Sequence, residues 1–144
     1  MKSYEAQRVI NGTFGEVWVN DDYMAEATAL QAKVALEQQE VNQTGTLAKG
    51  YKVTGVDGKG TLKLNKVTSY FIKLISDSLK KGKSVSCTII SNLDDPDAFG
   101  AERIKLINCV FDELTLIDWE AKKLGEESMA FKFSDWEVLD AIEA

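Results

Sequence analysis

Residues 30–37 read LQAKVALE, in which apolar and polar side chains alternate with a period close to two. Such a period is typical of a β-strand that has one face in a hydrophobic core. The wider segment 25–40 is rich in alanine, leucine, glutamine, lysine and glutamate, and this composition favours a helix. Periodicity and propensity therefore disagree over this segment, and we predict a strand.

More strands are predicted on both sides of this segment. Short runs of alternating or β-branched residues, bounded by glycine, asparagine, aspartate or proline, are typical of strands. A turn at residues 20–22 follows the first of these runs and closes a hairpin. The runs occupy residues 16–19, 61–66, 84–91, 102–113, 115–120 and 128–138.

One helix is predicted between residues 68 and 82. Thr68 or Ser69 can cap its N-terminus, and Lys80, Lys81 and Gly82 match the residues preferred at a helix C-terminus. Its apolar side chains recur at helical spacing, so they form one stripe that can pack on a sheet. The stripe consists of Phe71, Leu74, Ile75 and Leu79.

These elements predict a mainly β protein, a β-sandwich or barrel with one flanking α-helix. The chain has 144 residues, which is within the usual range for one domain. The sequence contains no internal repeat and no linker. We therefore predict a single domain that spans residues 1–144.

Residues 41–60 differ in composition from the rest of the chain. Apolar residues become sparse there, and five glycines occur between residues 45 and 60. This composition predicts an extended, mobile hairpin or loop. Asp57-Gly58 is a hairpin-turn signal, and we predict the turn at that dipeptide.

Composition and charge exclude several classes of protein. The chain has no histidine, so catalytic triads and histidine-ligated zinc are excluded. Its net charge is -6, with 10 acidic and 3 basic residues in 111–144, and no basic block that would grip nucleic acid tightly. No apolar run approaches the roughly 18 residues of a membrane span, so we expect no membrane anchor.

Cysteines and clustered carboxylates can be catalytic or metal-binding groups in other proteins, but in this chain they have simpler interpretations. Cys87 and Cys109 share strand faces with apolar residues, so we predict that both are reduced core residues. The acidic turn 94–97 lacks the spacing of a calcium loop, and we predict a solvated turn. The carboxylate pairs 112–113 and 126–127 are predicted on solvated faces. We expect neither an enzyme nor a bound cofactor.

Several short motifs occur along the chain in a characteristic order. They are Asn11-Gly12 with Gly15, and residues 54–61, 66–71, 100–106 and 131–136. Each motif alone is weakly specific, but their order and spacing together resemble the tail tube (core tail) proteins of contractile phage tails. The resemblance is strongest to PBSX-type prophages and phage-tail-like bacteriocins, and it also favours the strand at residues 25–40.

The resemblance implies a structural protein that assembles without catalysis. Family members form hexameric rings whose strands join into one β-barrel around a channel, and the rings stack into a tube. The implied partners are other copies of the chain, the tail sheath protein, and the baseplate and tape-measure proteins, with DNA only as transient passing cargo. Assembly would occur in the bacterial cytoplasm, and the product would be a virion tail or phage-tail-like particle. The alternatives are a small-ligand-binding β-barrel and a β-rich enzyme.

Two sets of residues are predicted to serve assembly. The segment 41–60 is predicted to be an arm that reaches a neighbouring subunit, through Gln43, Thr44, Thr46, Lys49, Tyr51 and Lys52. Along the strand at 30–37, one face is predicted to pack in the core and the other to face the lumen. The core residues are Leu30, Ala32, Val34 and Leu36, and the lumen-facing residues are Gln31, Lys33 and Glu37. We expect Lys33 to be offset by Glu37 and by acidic side chains of other strands, for which residues 111–144 are a candidate source, because a positive wall would retain DNA.

Overall fold

The segment 30–37 lies in the middle of a long strand, so its periodicity outweighs its helix propensity. The computed structural model describes residues 3–144, which contain eight strands, one α-helix and two 3₁₀ turns at Ala6–Arg8 and Gly12–Phe14. The elements are β1 (Gly15–Val19), β2 (Asp22–Tyr23), β3 (Ala27–Val41), β4 (Gly50–Asn65), α1 (Tyr70–Lys80), β5 (Cys87–Leu93), β6 (Glu102–Phe111), β7 (Glu126–Phe133) and β8 (Asp135–Asp140).

The strands pair in the order β2-β1-β5-β6-β7-β4-β3, and every pair is antiparallel. Strand β8 lies off this path and pairs with residues 103–107 of β6, while β7 pairs with residues 110 and 111 of the same strand. The prediction of a mainly β fold with one flanking helix is confirmed.

The core lies between the strands and α1, which contributes Phe71 and Ile75. A chain of aromatic rings runs through it from Phe71 to Phe111, Phe131 and Phe133, with centroids 5.1 to 6.2 Å apart. The first two pairs meet edge-on, and such pairs stabilise a core beyond the area that they bury. The largest fully buried side chains are Phe131, Leu62, Ile89, Met129, Val19 and Cys109.

Three predictions about secondary structure are wrong. Residues 115–120 form no strand, because β-propensity counts only where a neighbouring strand edge is available and this segment pairs with none of the described strands. The segment 128–138 is divided at Ser134 into β7 and β8, which pair with different parts of β6. Ser69 occupies the N-cap of α1, but its side chain donates and accepts no capping hydrogen bond.

The predicted turn at Asp57-Gly58 is also wrong, because both residues lie inside β4. The chain reverses instead through residues 42–49, where Gly45 has a φ of +80°. Gly58 and Gly60 lie directly opposite Phe133 and Phe131 of β7. A Cβ atom at either glycine would lie within 2.6 Å of the facing aromatic ring. These glycines therefore permit close ring packing and do not form a turn.

Two carboxylates that were predicted to be solvated are buried. Asp95 is 5% exposed and accepts hydrogen bonds from the backbone N–H groups of Asn11, at 2.8 Å, and Asp97, at 2.9 Å. Glu127 is 7% exposed and forms an ion pair with Lys66. Burial of a carboxylate requires such partners. Asn11 and Lys66 come from distant parts of the chain, so local composition does not reveal these two partners.

Candidate assembly interface

The β3–β4 hairpin has two parts with different surroundings. In its base, residues 27–35 and 57–65, Leu30 and Val34 pack against the core and Leu62 and Leu64 are buried. In its outer part, residues 36–56, the two strands continue to pair until Val41 meets Gly50. We call residues 36–56 the arm. Most of its side chains are exposed, because no other described element packs on them.

One face of the arm carries four apolar side chains although it is exposed. Leu36 lies opposite Val56, and after a bulge at Glu37 and Gln38 the same face continues with Val53 and Tyr51 on β4, which lie opposite the polar residues Gln38 and Glu40 of β3. These four side chains are 47 to 65% exposed. Alternation places them on the face that Leu30 and Val34 use in the base. The surface that packs on the core therefore continues outward into solvent.

The predicted core face of β3 is only partly correct. Leu30 and Val34 pack against the core as expected. Ala32 and Leu36 are exposed, and Leu36 is wrong as a core residue because the core ends before it. In the monomer the Leu36 side chain is exposed to solvent.

The predicted arm residues occupy the outer end of the hairpin. The connecting loop 42–49 carries Gln43, Thr44, Thr46 and Lys49, while Tyr51 and Lys52 begin β4. All six are exposed, and Lys49 forms a 3.5 Å ion pair with Glu40 across the hairpin. Their contact with a neighbouring subunit stays a prediction.

The predicted lumen residues Gln31, Lys33 and Glu37 are exposed on the other face of β3. Lys33 lies opposite Lys59, and Lys59 lies opposite Lys132 of β7. The residue directly opposite Lys33 is therefore basic, while Glu37 lies on the same face toward the arm and Asp57 forms a 3.5 Å ion pair with Lys59. The expectation that acidic neighbours offset Lys33 stays a prediction. The assignment of this face to a channel stays a prediction.

Sequence reasoning missed a second exposed apolar surface, the loop 112–125 between β6 and β7. Leu116, Ile117, Trp119 and Leu124 are 64 to 89% exposed. Lys66 anchors the end of the loop, because its backbone N–H donates to the carbonyl of Gly125 at 2.8 Å and its ammonium pairs with Glu127. The apolar residues of this loop are visible in the sequence, but residues 115–120 were predicted to form a strand.

The described residues bring together no catalytic constellation and no group of metal ligands. Burial raises the pKa of the Cys87 thiol to about 11 and that of Cys109 to about 12, so neither is a reactive thiolate. Burial and the Asp22 carboxylate, which accepts a 2.8 Å hydrogen bond from Tyr70, raise the pKa of the Tyr70 hydroxyl. The two cysteines are core residues, and the hydrogen bond from Tyr70 to Asp22 joins α1 to β2.

Two open grooves indent the surface, and the larger, of about 460 Å³, lies between the loop 112–125 and β4. It is lined by charged and exposed side chains such as Lys63, Glu120 and Trp119. The aromatic rings fill the interior of the fold. Within residues 3–144 no helix has the length and apolar character needed to cross a membrane.

A mainly β fold with a projecting hairpin and two exposed apolar surfaces presents surfaces suited to contact with other chains. The family model described as "Phage tail tube protein" matches residues 2–140, and the chain belongs to that family. It is 35% identical over 137 residues to the phage-like element PBSX protein XkdM of Bacillus subtilis strain 168, covering 93% of this chain and 92% of that protein. The resemblance to tail tube proteins of PBSX-type prophages is therefore confirmed.

Solved structures with the same fold include chains of an extracellular contractile injection system and of the anti-feeding prophage. A chain of the tube-terminating cap of the anti-feeding prophage aligns with a TM-score of 0.69 and 14% identity, over 97% of each chain. A chain of the sheath–tube complex of the extracellular contractile injection system PVC aligns with a TM-score of 0.68 and 11% identity, over 96% of this chain and all of that one. At these identities the comparison shows the fold.

Proposed function

We propose that copies of this tail tube protein assemble into hexameric rings, and that the rings stack into the inner tube of a contractile phage tail or phage-tail-like particle. The observation that carries the proposal is the apolar face of the arm. It continues the core-packing face of the hairpin into solvent, where only another chain can cover it. An exposed apolar surface of this kind marks an interaction site.

The free edge of β3 supports assembly through strand pairing. This strand has 15 residues and lies at the end of the sheet, so its outer edge has no partner among the described strands. A long unpaired edge invites pairing with another chain, and closed assemblies remove the hazard. A neighbouring copy that pairs with β3 would extend the sheet around a ring.

The tube implies further partners and a location. The sheath would cover its outer surface, and the baseplate and tape-measure proteins would contact its end and its channel. DNA would pass through the channel as transient cargo. Relatives with this fold occur in sheath–tube, cap and baseplate complexes, and these structures support such surroundings. The chain would assemble in the bacterial cytoplasm and end in a virion tail or tail-like particle.

Gln31, Lys33 and Glu37 are proposed to face the channel. Their face of β3 lies opposite the core side, and it is exposed along its whole length. If neighbouring copies pair at the edge of β3, this face becomes the continuous inner or outer wall of the ring. We assign it to the inner wall because its side chains are polar or small and it offers no apolar surface to a sheath.

Negative-stain electron microscopy of the purified full chain over a range of concentrations tests the proposal. Rings or tubes are the expected result. A monomer at every concentration, with a small molecule bound, would instead favour the ligand-binding alternative.

Hydrogen exchange tests the role of the arm in the same preparations. Backbone amides in the arm should exchange faster in the monomer than in the tube, because the neighbouring chain covers them only after assembly. Amides of β4 in the base, which lies between β3 and β7, should be protected in both states. An arm that is strongly protected in a verified monomer would contradict its role in assembly.

A further inference from the structure

We propose that Lys33, Lys59 and Lys132 form a contact for the phosphate backbone of DNA. The inference rests on the proposed tube for its biological setting, and it goes further by assigning a ligand chemistry to named residues. We call the three residues the lysine row.

The lysine row results from the register of three neighbouring strands. Lys33 of β3 is directly opposite Lys59 of β4, and Lys59 is directly opposite Lys132 of β7. Directly opposed residues of antiparallel strands project from the same face of the sheet. Adjacent strands are about 4.8 Å apart, so the row spans about 10 Å. All three side chains are exposed.

A row of like charges is unfavourable in the free protein. Directly opposed like charges destabilise a strand pair. Only Asp57 offsets them closely, through an exposed ion pair with Lys59 at 3.5 Å. The other charges of this face lie farther along the strands: Lys63 and Glu126 toward one end, and Glu37 toward the arm. The face therefore carries a narrow positive band across the sheet on a chain with a net charge of -6.

The surroundings of the row favour a nucleic acid over a protein. Protein interfaces are depleted in lysine and use buried aromatic or aliphatic anchors. The residues next to the row are Gln31, Ala35, Asp57, Thr61 and Ala130, and Val110 of β6 lies opposite Lys132 at its end. Val110 is 41% exposed and is a single aliphatic side chain, so it forms no buried anchor. Contact with DNA that is independent of base sequence requires only cations near phosphates. Lysine supplies these as flexible point charges.

The expected contact is weak and strongly salt-dependent. Three phosphate contacts give a slope of about -2.7 in a plot of log affinity against log salt concentration. Affinity should then fall about 40-fold between 50 and 200 mM salt. These values apply to a single copy of the chain, and a hexameric ring would repeat the row six times.

The test is fluorescence anisotropy of a labelled short duplex titrated with the full chain at several salt concentrations. The variant K33Q/K59Q/K132Q should lose at least 10-fold in affinity and most of the salt slope. The variant K80Q/K81Q/K83Q lowers the net charge equally at three exposed lysines elsewhere, and it should bind like the wild type. The variant K33R/K59R/K132R keeps the charges and should retain binding.

Three outcomes would overturn the proposal: an unchanged affinity in the row variant, an equal loss in the control variant, or row-dependent binding of polyglutamate without binding of DNA. The last would identify an acidic polypeptide as the occupant. Electron microscopy of the same samples keeps this test separate from the proposed function. The row variant should still form tubes, and a wild type that binds DNA through the row without forming tubes would contradict only the tube.

Discussion

At the base of the β3–β4 hairpin, Leu30 and Leu62 face each other over the core, whereas Leu36 and Val56 in the arm face each other over solvent. The same alternation of side chains runs through both parts. The base finds its apolar partners within the chain, on β7 and in the aromatic core. The arm has none among the described residues. Alternation therefore marks a face that must be covered, and the rest of the structure determines whether this chain or another covers it.

The largest expected difference between the two parts is in folding stability. Leu62→Ala should lower the free energy of unfolding by about 3 kcal/mol, because Leu62 is fully buried and its truncation leaves a cavity. Leu36→Ala should change it by less than about 0.5 kcal/mol, because Leu36 is 55% exposed. Urea unfolding of the monomeric proteins measures both. Equal losses would show that the arm packs on the core in solution.

A second variant tests the close packing of the base. Gly60→Ala should cost about 2 kcal/mol, because the new Cβ atom would lie 2.4 Å from the Phe131 ring and 2.6 Å from the carbonyl of Gln31. Gly12→Ala is the control, since no atom lies within 4 Å of the corresponding position. Thermal melts should separate the two variants by several degrees. Coincident melts would mean that β7 does not lie over Gly60 as described.

The smallest effect concerns the core beneath the base. Burial raises the pKa values of Cys87 and Cys109 from 9.0 to about 11 and 12. The folded state therefore keeps both thiols neutral, and their contribution to stability is complete below about pH 9 and is lost as the pH rises toward 11 or 12. At pH 8, iodoacetamide should modify both thiols in urea and neither in the folded protein. Rapid modification of the folded protein would show that this core opens to solvent.

Alternation and composition were sufficient to predict much of the fold. Local patterns correctly predicted strands at residues 16–19 and 61–66. They also predicted the helix that ends at Lys80. The burial of Cys87 and Cys109 also follows, because each shares a strand face with apolar residues.

The remaining features depend on partners that are distant in the sequence. Gly58 and Gly60 suggested a turn, and their actual role requires the register between β4 and β7. Asp95 is buried because a backbone N–H 84 residues away satisfies it. The lysine row also becomes visible only when three strands are aligned. Composition does not encode register, and for this reason the lysine row could not be predicted from the sequence.

The central claim is that the apolar face of the arm drives assembly, and electron microscopy of Leu36→Ser/Val56→Ser tests it most directly. The control Lys73→Ser/Asp77→Ser changes two exposed residues of α1. Both variants should fold, and the account predicts rings or tubes for the wild type and the control but only dispersed protein for the arm variant. Tubes of normal length and number from the arm variant would contradict the account.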